Sequence, residues 1–208
     1  MTPSDKKIKI IGITGNSGSG KSLVAGICAS FGAYVINADE INHENMMAGQ
    51  PAYYEICAVF GTNVLDDYNE INRRKLGEKV FADKGLLQIL ESITHKYVKK
   101  EIMSRAADIA TNPADYSFIV IDAPLLIEAG INKNCDETWL VTADYATRLG
   151  RVRKRDTLSD EEILRRFASA TPESELEKHA DITIDNNSDD IIKLRDCVRS
   201  LLIKRGMI

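Results

Sequence analysis

The chain has 208 residues, 44% of them hydrophobic and 28% charged, and 27 basic against 31 acidic residues give a formal net charge of -4. The length suits one sizeable core, and the composition is that of a globular protein rather than a disordered or fibrous one. The acidic excess argues against a broad nucleic-acid-binding surface or a polybasic membrane anchor.

Targeting and redox signals are weak along the whole chain. No apolar run is long enough for a signal peptide or a membrane span, so we expect a cytoplasmic protein with neither a membrane nor a nucleic-acid partner. The four cysteines are scattered and form no C-x-x-C pair. We therefore expect buried free thiols rather than disulfides or a zinc site.

The first predicted elements are a strand, a glycine-rich turn and a helix. The apolar run "IKIIGI" predicts a strand at residues 8–13, and "KSLVAGICASFG" predicts a helix that ends near Gly32. The residues expected on the buried face of this helix are Leu23, Val24, Ile27 and Phe31.

Four more apolar runs predict strands further along the chain. They are "YVI" at residues 34–36, "FIVID" at 118–122, "TWLVT" at 138–142 and "ITI" at 182–184. Strands that are apolar on both faces and separated by helices are typical of a parallel sheet covered on both sides. The sequence thus predicts an α/β protein.

Helical patterns fill the intervals between these strands. About eighty residues between the second and third strands contain helical segments only and predict an inserted helical lobe. Another helical stretch runs from Tyr145 to Lys178, and the chain closes with an amphipathic helix. The residues expected to face the core from that last helix are Ile192, Leu194, Val198, Leu201 and Leu202.

The glycine-rich turn matches the P-loop pattern Gly15-x-x-x-x-Gly20-Lys21-Ser22. In this pattern backbone amides converge on phosphate oxygens, the lysine reaches the β- and γ-phosphates, and the hydroxyl binds Mg²⁺. The alternative is a flexible turn, but a position between a strand and a helix favours a nucleoside triphosphate site. The predicted nucleotide-binding residues are Gly15, Asn16, Ser17, Gly18, Ser19, Gly20, Lys21, Ser22 and Leu23.

A small kinase is the class of P-loop protein that best fits the rest of the chain. No N-K-x-D sequence that would read a guanine base is present, and a nucleotide-driven motor would need a longer chain. A kinase needs an acceptor site, a base near the acceptor hydroxyl and positive charge over the transferred phosphoryl group.

Candidates for these parts follow the predicted strands. Asp39 comes just after the second strand, at the edge where α/β sheets bind ligands, and is the candidate base; a helix N-cap is the alternative. Asp122 ends the third strand and could hold Mg²⁺, or it could serve a turn. Arg148, Arg151 and Arg155 share one helix face and could clamp phosphates, or they could form a solvated charged surface.

In the order and spacing of its motifs the chain resembles the dephospho-CoA kinases, the enzymes of the last step of coenzyme A synthesis. The matching segments are "GITGNSGSGKS", "VINADEI", "INRRKLGEKVFAD", "LESITHK", "IDAPLLIEAG", "TRLGRVRKRDTLSDEEILRRFAS" and "HADITIDNNSD". They cover nearly the whole chain.

The resemblance implies a single domain with a three-layer P-loop kinase core, a five-stranded parallel sheet, a helical substrate lobe at about residues 40–112 and a helical lid at about 148–171. It implies that ATP with Mg²⁺ phosphorylates the ribose 3′-hydroxyl of dephospho-CoA. Catalytic roles fall on Lys21, Asp39, Arg151 and Arg155, substrate binding on Asp39, Arg73 and His95, and metal binding on Ser22 and Asp122. A lone helical histidine such as His95 is more often structural.

The chain departs from the family pattern at four positions. Asn37 replaces an aspartate, Arg148 replaces a glutamine, and Ala170 and Leu176 lie where a glutamine and a lysine are common. Two alternatives therefore stay open from sequence: a kinase of another small acceptor such as a nucleoside monophosphate, and a nucleotide-binding regulatory protein without activity. No sequence pattern specifies an oligomeric state.

Overall fold

The structure, a computed structural model, describes residues 8–113 and 115–208. The strands are β1 (Lys9–Thr14), β2 (Ala33–Asn37), β3 (Phe118–Asp122), β4 (Glu137–Thr142) and β5 (Ile182–Asp185). The helices are α1 (Lys21–Ala29), α2 (Ala38–Asn45), α3 (Pro51–Phe60), α4 (Arg73–Phe81), α5 (Lys84–Thr111), α6 (Tyr145–Arg155), α7 (Asp160–Ala168), α8 (Glu173–Glu177) and α9 (Ile191–Lys204).

The five strands form one parallel sheet in the order β2-β3-β1-β4-β5, which confirms the predicted α/β fold. β1 lies in the middle, with Ile13 opposite Asp122 of β3 and opposite Trp139 of β4. From β1, strands β2 and β3 lie toward one edge of the sheet, whereas β4 and β5 lie toward the opposite edge. The turn after β1 therefore lies at the switch in strand order, where open α/β sheets bind ligands.

The core of the sheet explains why the strands read as continuous apolar runs. All five residues of β3 are buried, as are the central residues of β1 and β4. α1 covers one face with Val24, Ile27 and Cys28, and α9 packs beside α1. Burial on both faces leaves no solvent-facing position in β3, so its sequence has no polar alternation.

The predicted buried faces of α1 and α9 need two corrections. α9 buries Leu194, Val198 and Leu202, which recur every fourth residue and form one stripe, whereas Ile192 is 73% exposed. Ile192 lies two residues before Leu194, which places it about 200° around the helix from the buried stripe. Its side chain therefore points away from the core. Leu23 of α1 is likewise exposed, because the following residue, Val24, occupies the buried face.

The described chain divides into two compact units. The first joins the segment that ends at Ile36 to Ala106–Ile208 and contains the sheet; the second is the helical segment Asn37–Arg105. The helical unit has an apolar cluster of its own, formed by Ala52, Ile56, Phe60, Val64, Leu76, Val80 and Ile93. These residues come from α3, α4, α5 and the short 3-10 turn Thr62–Val64, so the unit is built by local helix packing.

The four cysteines are free thiols, and only part of the burial expected for them is found. Cys28 is fully buried and Cys135 partly so, and burial raises the pKa of each to about 12. Cys197 is exposed on α9, contrary to the expectation. Among the helices that the structure describes, none combines the length and the apolarity that crossing a membrane requires.

Candidate active site

The glycine-rich turn lies between the end of β1 and the start of α1, as the P-loop pattern requires. Gly15 follows β1 directly and has a φ of 152°; a Cβ there would lie 2.3 Å from the carbonyl oxygen of Val141. The neighbouring strand β4 thus approaches the turn too closely for any side chain. The loop is tightened by a hydrogen bond of 3.0 Å from the Ser19 amide to the Asn16 carbonyl.

The start of α1 offers unpaired donors to an anion. Gly20 caps the helix without a side chain, so no residue of the cap competes for the first amides. Those amides and the positive end of the helix dipole favour a phosphate group. The amides of Leu23 and Val24 bond to the Gly20 carbonyl and close the first turn of the helix.

Lys21 lies beside a buried carboxylate of the neighbouring strand. Its Nζ is 3.8 Å from Oδ1 of Asp122, and the two side chains are 17% and 4% exposed. The pairing follows from the register, because Asp122 ends β3 next to β1. The ammonium group therefore lies at the carboxyl end of β3.

Two side chains with oxygen donors are neighbours of Lys21, since Ser22 follows it in the chain and Asp122 pairs with it. Ser22 is exposed in the first turn of α1, and Asp122 presents a carboxylate at the strand end. Within residues 8–113 and 115–208 there is no group of three or more histidines, cysteines, aspartates or glutamates that could hold a metal by itself. A hydroxyl and one carboxylate suit Mg²⁺, which commonly completes its coordination with substrate phosphates and water.

The three arginines of the predicted clamp do not converge on one point. Arg151 reaches the P-loop, with Nη1 3.4 Å from the Gly18 carbonyl and 3.5 Å from the Ser19 carbonyl, and it pairs with Asp189 at 3.2 Å. Arg148 donates to the Ala143 carbonyl at 3.0 Å and stacks 5.1 Å from the Phe167 ring.

Arg155, the third arginine of the predicted clamp, is held by a carboxylate next to it in the chain. It makes a two-pronged ion pair with Asp156, at 2.6 Å and 3.1 Å. Asp156 also accepts from Arg166 of α7 at 2.8 Å. Two arginines hold the pKa of the Asp156 carboxyl below its usual range; Arg155 has the larger effect and Arg166 the smaller. Both arginines are thus paired with a carboxylate, but Arg151 also reaches the carbonyl oxygens of the P-loop.

The segment after α7 touches the P-loop directly. The Asn16 side chain donates to the Thr171 carbonyl at 3.2 Å, and the Thr171 hydroxyl bonds to the Glu128 carboxylate. α7 itself begins with a capping box in which Ser159 and Glu162 bond to each other's backbone amides. The predicted lid region is thus linked to residue 16 at one end.

Asp39 lies in the first turn of α2, and the helix N-cap is Asn37. Oδ1 of Asn37 accepts from the amides of Asp39 at 2.9 Å and Glu40 at 3.3 Å. The alternative of Asp39 as the N-cap is therefore wrong, because its neighbour fills that position. Asn37, the position where the family pattern has aspartate, keeps the capping function, and the Asp39 carboxylate is exposed.

Two candidate substrate residues lie elsewhere in the helical unit. Arg73 begins α4, and its Nη2 contacts Nδ1 of His43. Because a guanidinium has no acceptor, Arg73 is the donor in this contact. His43 lies one turn after Asp39 on the same face of α2, whereas His95 is half-buried on α5.

A cavity of about 350 Å³ opens at the carboxyl ends of β4 and β5. Its lining residues are Thr142, Ala143, Asp144, Tyr145, Arg148, Glu173, Asp185 and Asn187. Of these only Arg148 was singled out from sequence. Six of the others lie at or just after the ends of two predicted strands, the edge where α/β sheets bind ligands, so position could have found them; Glu173 lies on α8 and has no such signal.

The mid-sheet strand, the glycine turn, the lysine beside a buried strand-end carboxylate and the adjoining cavity define a P-loop phosphotransferase. The dephospho-CoA kinase family model matches residues 9–191. The chain belongs to the dephospho-CoA kinase family, whose members phosphorylate dephospho-CoA with ATP in the last step of coenzyme A biosynthesis.

Individual relatives agree with this assignment. A dephospho-CoA kinase of Carboxydothermus hydrogenoformans is 38% identical over 197 residues, which are 95% of this chain and 94% of that protein. A crystal structure of a Thermus thermophilus protein superposes with a TM-score of 0.77 at 31% identity, covering 96% of this chain and 98% of that one. The dephospho-CoA kinase of Campylobacter jejuni superposes with a TM-score of 0.68 at 27% identity, with the same coverage of both chains.

Proposed function

We propose that this protein transfers the γ-phosphoryl group of Mg²⁺-ATP to the ribose 3′-hydroxyl of dephospho-CoA. The observation that carries the proposal is the position of Lys21, at the start of α1 and 3.8 Å from the buried Asp122 carboxylate. An ammonium group fixed at a P-loop stabilises the charge on the β- and γ-phosphates. The family assignment supports the choice of acceptor.

The nucleotide would occupy the P-loop and the cavity beside it. The polyphosphate binds to the amides between Gly15 and Ser22, and the nucleoside enters the cavity after β4 and β5. The short distance between Gly18 and the cavity wall supports this arrangement. A Cβ at Gly18 would lie 2.6 Å from the carbonyl oxygen of Arg148, a lining residue of the cavity. Loop and cavity are thus in direct contact.

Ser22 and Asp122 are the residues that would hold Mg²⁺, Asp122 directly or through water. The pairing of Asp122 with Lys21 supports this role, because it sets the carboxylate beside the lysine of the P-loop pattern. When bound, Mg²⁺ would neutralise charge on the β- and γ-phosphate oxygens.

Asp39 is the proposed base, which accepts the proton of the ribose hydroxyl as the new bond to phosphorus forms. Its exposure and its place in a capped helix turn support this role, because neither burial nor a capping bond occupies the carboxylate. Arg73, held by His43, and His95 are proposed to bind the acceptor.

Arg151 and Arg155 are proposed to spread the charge of the transferred group. Arg151 already lies at the P-loop. Arg155 would exchange the carboxylate of Asp156 for phosphate oxygens, a substitution between two anions of similar bidentate geometry. Positioning and electrostatics then supply most of the acceleration, since phosphoryl transfer asks little covalent chemistry of the protein.

The test is a coupled ADP-release assay with ATP, Mg²⁺ and dephospho-CoA, repeated with AMP, CMP and adenosine as acceptors. We expect turnover with dephospho-CoA and none above background with the other three. Faster turnover with AMP or CMP would assign the protein to another acceptor. ATP binding without ADP release on any acceptor would contradict the proposal altogether.

A further inference from the structure

The carbonyl oxygen of Ser19 in the P-loop is bonded to a residue far away in the chain. When P-loop amides turn toward a phosphate, the intervening carbonyls must point away from it and find other partners. The Ser19 carbonyl accepts from Nδ2 of Asn186 at 2.7 Å, across 167 residues of sequence. Asn186 is 3% exposed, so this bond is shielded from water.

Asn186 is itself fixed to the sheet. It follows β5 directly, and its amide donates to the Thr142 carbonyl at 2.9 Å, continuing the pairing of β5 with β4. The orientation of the side-chain amide follows from chemistry, because a carbonyl can only accept and the NH₂ group must face it. A rigid strand end thus presents one donor to the P-loop.

The same amide occupies the space beside Gly20. Gly20 has a φ of 94°, and a Cβ there would lie 2.2 Å from Nδ2 of Asn186. Gly20 is the N-cap of α1, so the side chain of Asn186 borders the point from which the first helical amides project. Asn186 therefore contacts both the carbonyl and the cap that set the direction of these donors.

Arg151 shares the Ser19 carbonyl but cannot replace this contact. Its Nη1 is 3.5 Å from that oxygen, compared with 2.7 Å for Asn186, and its side chain is 26% exposed. A long bond from a partly exposed arginine is weaker than a short buried one. Asn186 is thus the main partner of this carbonyl among the described residues.

We propose that Asn186 is a positioning residue for phosphoryl transfer: it fixes the Ser19 carbonyl outward and so keeps the P-loop amides directed at the polyphosphate. It touches no reacting atom and acts through the loop. The inference rests on the proposed binding of the ATP phosphates at the P-loop. It adds a residue from the opposite end of the chain to that site.

The test compares ADP with adenosine, because only ADP carries phosphates for the P-loop. Asn186→Ala removes the donor, and Asn186→Asp keeps the volume but sets a carboxylate against the carbonyl. The matched control is Asn134→Ala. Asn134 is an exposed asparagine at the end of the 3-10 turn Asn132–Asn134. Binding of both ligands is measured by calorimetry, and steady-state constants by ADP release.

We expect Asn186→Ala to weaken ADP binding by roughly 10- to 100-fold, the scale of a buried carbonyl left unpaired, and Asn186→Asp by at least as much. Adenosine binding should stay within about twofold of the wild type, because the cavity is unchanged. KM for ATP should rise while KM for dephospho-CoA, measured at saturating ATP, stays the same. Asn134→Ala should behave as the wild type.

The outcomes separate this inference from the proposed function. If the wild type binds ADP no better than adenosine, phosphate binding at the P-loop fails. If the wild type prefers ADP and both variants keep that preference, or only lose thermal stability, Asn186 has no positioning role. Should Asn186→Ala and Asn186→Asp both fail to fold, Asn186→Ser decides, and an unchanged ADP preference in that variant overturns the inference.

Discussion

The ammonium group of Lys21 lies 3.8 Å from the carboxylate of Asp122, at the carboxyl ends of adjacent strands. The Asp122 side chain is almost completely buried, whereas the Lys21 side chain keeps 17% of its exposure. The carboxylate thus pairs with the lysine of the P-loop pattern and leaves it partly exposed. Replacing Lys21 therefore removes one specific positive charge.

Lys21→Ala should weaken ATP binding and also lower kcat, each by roughly 10²-fold or more, because the lost charge contacts the phosphates in both the ground state and the transition state. Calorimetry with ATP and the ADP-release assay measure the two effects. Lys178→Ala, which removes an exposed lysine paired with Glu175, is the control and should change neither. Normal turnover in Lys21→Ala would contradict the proposed site.

Asp39→Asn should leave ATP affinity unchanged and lower kcat by roughly 10²-fold or more, the usual effect of losing a general base. The neighbouring Glu40 offers a matched control, since it is also an exposed carboxylate in the first turn of α2. Glu40→Gln should keep nearly full turnover. Equal rates for the two variants would remove Asp39 from the mechanism.

Arg151→Ala should raise KM for ATP and lower kcat/KM by roughly 10- to 100-fold, because a charge-assisted contact at the P-loop is lost. Arg153, two residues away on α6, points elsewhere and makes a two-pronged pair with Asp160 at 2.8 Å and 2.9 Å. Arg153→Ala should therefore leave the steady-state constants near those of the wild type. A comparable loss in both variants would indicate a general effect on α6.

The pair formed by Arg155 and Asp156 has a predictable pH dependence. Because the pKa of Asp156 is lowered in the folded protein, its contribution to stability is present above the unfolded value of about 3.9 and is lost as the pH falls through the folded value. The pair is partly exposed, so the contribution is at most about 1 kcal/mol.

Asp156→Asn should therefore lower Tm slightly at pH 7, and this difference should shrink as the pH falls below about 4. Thermal unfolding of both proteins between pH 7 and pH 3 measures it. A difference that grows as the pH falls would show that the carboxylate is not stabilised in its charged form. In the same variant the freed Arg155 should lower KM for ATP, since no carboxylate competes with the phosphates.

Several features were predictable because they depend on short stretches of sequence. The strand, glycine turn and helix around Lys21 follow from an apolar run, from backbone conformations that only glycine adopts easily, and from helical spacing. The cap of α2 was equally local, but the sequence analysis considered only Asp39 for it. Asn37 takes the position because its Oδ1 reaches the Asp39 and Glu40 amides.

Other features depended on which parts of the chain pack together. The three arginines of α6 share a helical spacing, yet their partners are different: one lies at the P-loop, one stacks on Phe167 and one binds Asp156. Helical periodicity sets the direction of a side chain but not what lies there. The exposure of Ile192 has the same cause, because only the packing of α9 shows which apolar residues reach the core.

The sequence by itself determined the class of the protein, since the P-loop residues, the apolar strands and the order of the family motifs are all properties of contiguous segments. Tertiary structure alone decided that β1 lies between β3 and β4, that Asp122 meets Lys21, and that Asn186 bonds to Ser19. The physical reason is that burial and hydrogen bonding between distant segments depend on strand order, and strand order is set by the packing of the whole sheet.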